Sequence, residues 1–142
     1  MKSQSIFDPQ VSYSSIDNAN VIVYIDLIRQ GVSYKQFISF ANQGPFTIYE
    51  WSTYLHLSER TIQRYQKEEK KFDAIQSEKI IEIVLLYKKG VEVFGNTDKF
   101  NSWLETDNLA LGRARPKTFL DSSFGINMLK DELNKIEYGI LA

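Results

Sequence analysis

The chain has 142 residues, 43% hydrophobic, 13% aromatic and 25% charged, which is material for one ordinary domain or two small modules sharing a core and argues against wholesale disorder. A formal net charge of −1 and a pI near 5.9 exclude a strongly basic nucleic-acid binder, so any DNA contact has to be local and helped by dimerisation. Cysteine is absent, which excludes disulfides and thiolate metal sites, and the single histidine, His56, argues against a histidine-rich metal site or a Ser-His-Asp triad.

Residues Met1 to Asp17 are polar and serine-rich, with Pro9 and no clear period, and read as a loose arm. The first ten residues hold one lysine and no apolar run, unlike a signal peptide, and no apolar stretch is long enough to span a bilayer. A cytoplasmic protein without membrane contact is expected.

From Asn20 to Gln30 the β-branched residues favour a strand, yet Val21, Tyr24, Ile25 and Ile28 fall at i, i+3, i+4 and i+7. With Asn20 as cap and Gly31 as left-handed stop, the reading is a helix. Ser33 and Gln36 then form a capping box ahead of Phe37, Ile38, Phe40 and Ala41, and Asn42-Gln43-Gly44-Pro45 ends that helix. Thr47 and Glu50 repeat the box, with Ile48, Trp51, Tyr54 and Leu55 facing inward. Ser58 caps the next helix, whose inward residues are Ile62 and Tyr65. Two short helices joined by a tight turn at His56-Leu57-Ser58 predict a helix-turn-helix.

Lys67 to Lys71 is a charged connector, and Phe72 is expected to fold back onto the core. Asp73 and Gln76 offer a cap for a long helix through Ile80, Ile83, Val84, Tyr87 and Val91, ending near Phe94-Gly95. Thr97 is expected to cap a helix carrying Phe100, Trp103 and Leu104. A turn-rich segment follows from Thr106 to Ala114. Pro116 suits the start of a short helix with Phe119 and Leu120, and Ser123 starts a last helix with Met128, Leu129, Leu133 and Ile136, closed by Gly139. The fold class is all-α.

The first functional segment is Thr47 to Lys67. The second helix of a helix-turn-helix enters the major groove with its early residues at base edges, which here are Ser58, Glu59, Arg60, Gln63 and Arg64. Arginine reads guanine, and glutamine adenine, in two bonds each. Lys67, Lys70 and Lys71 suit phosphates. The same pattern fits a compact helical hairpin with a solvated outer face, and Glu59, Glu68 and Glu69 weigh towards that. Trp51, Tyr54 and Tyr65 have core spacing rather than base-stacking spacing, and His56 reads as a surface or edge residue.

The second segment is Phe94 to Gly139. It shows no catalytic residue: no paired carboxylates at motif spacing, no phosphate loop, no nucleophile with a base. Gly95, Gly112, Gly125 and Gly139 read as helix ends and turns. Taken alone, these residues make a small helical packing module.

In order, the segment carries Phe94-Gly95, Trp103-Leu104, Asn108-Leu109-Ala110-Leu111-Gly112, Arg115-Pro116, Leu120, Gly125 and Ile136-Glu137-Tyr138-Gly139. That series resembles the toxin-binding domain of the Xre/MbcA/ParS antitoxin family. Leu57-Ser58-Glu59-Arg60-Thr61-Ile62 with Arg64 is similar to the Xre-type helix-turn-helix that precedes it in the family. Family members often carry a second glycine after Leu-Gly, where this chain has Arg113. The resemblance divides the chain into a flexible N-terminal arm at 1–20, an Xre-like helix-turn-helix domain at 21–93 and a toxin-binding domain at 94–142.

The resemblance implies the antitoxin of a type II toxin–antitoxin pair. Such a protein covers the active site of a cognate toxin, most often a RES-domain toxin that consumes NAD. It also binds operator DNA to repress its own operon, commonly as a homodimer, and needs no cofactor and no metal. The toxin-facing residues expected are Trp103, Arg113, Arg115, Tyr138, Ile140 and Leu141, with core packing the simpler role for Trp103 and a solvated turn the simpler one for the arginines. Ile140-Leu141 is an apolar tail that suits burial against a partner. The competing reading is a stand-alone helix-turn-helix regulator whose C-terminal module dimerises or senses a ligand.

Overall fold

The computed structural model describes residues 5–8, 10–16 and 20–139. Their order is a 3-10 turn η1 (Tyr13–Ser15), α1 (Asn20–Gln30), α2 (Tyr34–Ala41), α3 (Ile48–Leu55), α4 (Glu59–Glu68), α5 (Ala74–Phe94), α6 (Thr97–Glu105), the 3-10 helices η2 (Leu109–Leu111) and η3 (Pro116–Asp121), and α7 (Ser123–Glu137). Among the described residues there is no strand; the nearest approach is two isolated bridges, Ser33 with Lys71 and Asn108 with Ala114. The all-α expectation is met. No helix among them is long and apolar enough to cross a membrane.

Both capping boxes form. Ser33 and Gln36 exchange side-chain and backbone bonds at the start of α2, and Thr47 and Glu50 do so at the start of α3. Two other caps differ from expectation. Asp73 stands at the head of α5 without a side-chain bond, while Ser77 takes up the connector, accepting from the Val32 amide and donating to the Phe72 carbonyl. Asn96, not Thr97, caps α6, because its carboxamide reaches the Lys99 amide three residues on.

The long helix α5 is the axis of the molecule. Ile80, Ile81, Ile83, Val84, Leu86 and Tyr87 are buried, and α1, α3, α6 and α7 all pack on it. On one side lies an aromatic cluster in edge-to-face contact, Phe37 with Trp51 at 5.0 Å, Phe46 with Tyr54 at 5.4 Å and Phe40 with Tyr87 at 5.7 Å. Leu120, Leu129 and Leu133 belong to the same continuous core. No linker separates a front module from a back one; α5 runs through both.

Helix α1 meets α5 through Tyr24, Leu27 and Ile28, leaving Val21, Ile22, Val23 and Ile25 exposed. The inward face is therefore turned away from the Val21–Ile25 edge. This helix is apolar nearly all round, so its period alone does not choose a face.

The loose arm expected over residues 1–20 is corrected for its described part. Ile6, Phe7 and Val11 are buried, and the Lys88 ammonium of α5 donates to the carbonyls of Asp8 and Val11. Turns and a 3-10 segment replace a regular helix here, so three separated apolar anchors show no period in the sequence.

Candidate nucleic-acid and partner interfaces

Helices α3 and α4 are joined by His56, Leu57 and Ser58 alone. His56 ends α3 in the left-handed conformation (φ 55°), and Ser58 caps α4 by accepting from the Thr61 amide. Ile62 and Tyr65 hold α4 to the core. Arg60, Gln63, Arg64 and Lys67, at i, i+3, i+4 and i+7, form one exposed stripe on the opposite face, with Ser58 and Glu59 exposed at its head. Trp51, Tyr54 and Tyr65 are core residues, so their rings are not open to bases. Lys70 stands 5.1 Å over the Tyr65 ring, and Lys71 is exposed.

Trp103 lies half-buried in a three-ring cluster on α5 and α6, stacked on Phe100 at 5.7 Å with planes 18° apart and tilted against Phe94 at 5.7 Å. Gly90 makes room for this cluster, since a Cβ there would overlap the Phe100 ring. Gly125 likewise admits the carbonyl of Phe119 inside the first turn of α7; it serves close approach rather than a turn of its own.

Arg113 and Arg115 flank the tight loop after η2. Gly112 (φ 71°) and Arg113 (φ 66°) are both left-handed, and the Arg113 amide donates to the Asn108 carbonyl. Both arginines are exposed. Arg115 makes long ion pairs with Glu105 (3.8 Å) and Asp107 (3.7 Å), while Arg113 heads outward from its strained backbone. Tyr138, the C-cap of α7, is 72% exposed. It lies beside Glu137, whose carboxylate approaches Lys89 of α5. Ile140 and Leu141 lie outside the described residues.

Sequence reasoning missed the contacts that join these two surfaces. The Lys117 ammonium sits 2.6 Å from Glu50 of α3 and 2.6 Å from Glu105 of α6. Burial opposes ionisation of Glu50, but bonds from Lys117 and from the Thr47 amide outweigh it and hold the carboxyl below its ordinary value. Burial also works against the Lys117 charge, and the bonds to Glu105 and Glu50 overcome it and raise its pKa. The His56 Nε2–H donates to the Asp121 carbonyl at 2.9 Å. Glu50 was legible only as half of a capping box; nothing in the spacing of Lys117 or Asp121 announces a partner some 65 residues away.

Comparison with known proteins divides the chain along the same surfaces. Residues 24–84 match the family model of the antitoxin Xre-like helix-turn-helix domain, and residues 89–139 match that of the antitoxin Xre/MbcA/ParS C-terminal toxin-binding domain. The chain is also 29% identical over 115 residues, 71% of its own length and 78% of the relative's, to a protein named Antitoxin Xre from Photorhabdus laumondii subsp. laumondii.

Proposed function

Because the chain belongs to the Xre/MbcA/ParS antitoxin family, with an Xre-like helix-turn-helix domain ahead of a toxin-binding domain, we propose that it neutralises a RES-domain, NAD-consuming toxin by covering the active site and represses its own operon by binding the promoter. The observation that carries this reading is the joining of the two family domains in one chain, each presenting an open surface. Neutralisation asks for no chemistry from the antitoxin. It asks for an interface that keeps substrate out, built on a few anchors.

Trp103, Arg113, Arg115 and Tyr138 are the described residues offered to the toxin, and Ile140 and Leu141 continue the sequence beyond Gly139. The guanidinium groups of Arg113 and Arg115 suit the acidic or carbonyl walls of a cleft that holds a phosphate-bearing cofactor. Ser58, Glu59, Arg60, Gln63, Arg64 and Lys67 are the operator-facing set. A net charge of −1 gives one copy little general attraction for DNA, which supports a homodimer reading two half-sites in the cytoplasm.

Co-expression with the product of the adjacent gene tests the reading. That product should arrest growth alone, be harmless with this chain and co-purify with it. A harmless neighbour, or two products that separate on purification, overturns it.

A further inference from the structure

Helix α3 has only eight residues, Ile48 to Leu55, and a helix of that length does not hold its position unaided. It is fastened at both ends by one short element of the other domain. At its first turn, Glu50 divides its carboxylate: one oxygen accepts from the Thr47 amide to close the capping box, and the other takes Lys117. At its C-cap, the His56 ring donates to the Asp121 carbonyl. Lys117 and Asp121 are the second and last residues of η3.

Pro116 and Leu120 are buried and anchor η3 in the core, and Glu105 also holds Lys117. The three-residue connection 56–58 passes the position of α3 on to α4.

On the reading given above, we infer that η3 is a brace for DNA reading, with Lys117 and His56 as positioning residues that aim the α4 stripe from within the toxin-binding domain. Neither contact lies within one family domain: Glu50 and His56 fall in 24–84, and Lys117 and Asp121 in 89–139. The helix-turn-helix is complete only when the toxin-binding domain is folded against it.

The test uses the full chain, a duplex carrying its own promoter region, and amide hydrogen exchange. Lys117→Met and Glu50→Gln remove the charge pair, the latter keeping a capping-box residue at its position. Each should speed exchange in α3 and α4 while α5 and α7 stay protected, and each should weaken duplex binding about three- to tenfold. Lys117→Arg should restore both, and the double variant should be no worse than Lys117→Met alone. Unchanged exchange in α3 and α4 overturns the brace, as does additive loss in the double variant. A wild-type chain that ignores the duplex counts against promoter binding instead, and the exchange data still decide the brace.

Discussion

The ammonium of Lys88, in the middle of α5, donates to the carbonyl of Val11 at 2.6 Å and so fastens the N-terminal arm to the central helix. Lys88 is almost wholly buried, and burial pushes its pKa down while Asp8 resists that shift. Its charge depends on the carbonyls the arm supplies. Lys88→Met should therefore loosen the arm and cost roughly 1–2 kcal/mol, the worth of hydrogen bonds to a charged group less the gain from removing a buried charge. Deleting residues 1–16 should cost more, because it leaves the lysine unpaired and uncovers the seats of Ile6, Phe7 and Val11. Urea unfolding reads both effects, and limited proteolysis within the arm reads the first; a truncated chain as stable as the full one contradicts the docking.

Gly90 and Phe100 make a second prediction. Alanine is the better helix former by about 1 kcal/mol, so propensity alone favours Gly90→Ala. The ring of Phe100 fills the space, and overpacking of this kind costs about 1–3 kcal/mol. The variant should be less stable, and Phe100→Leu in the same chain should recover part of the loss. A more stable Gly90→Ala would show that the two helices separate easily.

Arg113 occupies a left-handed position that favours glycine, directly after Gly112. The strain costs about 1 kcal/mol and is retained with an exposed guanidinium facing outward. Arg113→Gly should raise the thermal midpoint slightly while weakening toxin capture. Greater stability with full capture would assign Arg113 no part in the interface.

The Glu50–Lys117 pair makes stability depend on acid. A depressed carboxyl contributes fully above its ordinary value of 4.5 and loses that contribution as pH falls through the lower folded value. A raised lysine contributes fully below its ordinary value of 10.5 and loses it as pH rises through the higher folded value. The stability difference between the wild type and Glu50→Gln should be level from about pH 5 to 10 and shrink towards pH 3. A difference independent of pH would mean that Glu50 acts through its capping bonds alone.

Much of the helical framework was legible because its signals are local. The boxes at Ser33–Gln36 and Thr47–Glu50, the glycine stops at Gly31 and Gly95 and the Pro116 start each lie within four residues of what they govern. The burial of Ile80 and Leu129 followed from helical spacing, and that of Phe72 from an apolar ring directly after a charged connector. What was illegible is long-range or irregular. The face of α1 was hard to choose because its first half is an unbroken apolar run, Val21 to Ile25, and the docked arm uses anchors without a period. The seat of Lys117 between Glu50 and Glu105 depends on three elements meeting, which no single segment encodes. The exposure of Arg60, Gln63 and Arg64 agrees with the sequence reading, because Ile62 and Tyr65 fix which side of α4 faces in.

The account stands most directly on the double variant Arg60→Ala/Arg64→Ala, assayed in one preparation for promoter binding and for capture of the co-expressed toxin. Both side chains are exposed and clear of the η3 contacts. Promoter affinity should fall at least about tenfold, at roughly 1–3 kcal/mol per lost base contact, while capture changes by less than about twofold. Equal loss of both activities, or promoter binding as tight as the wild type's, would contradict it.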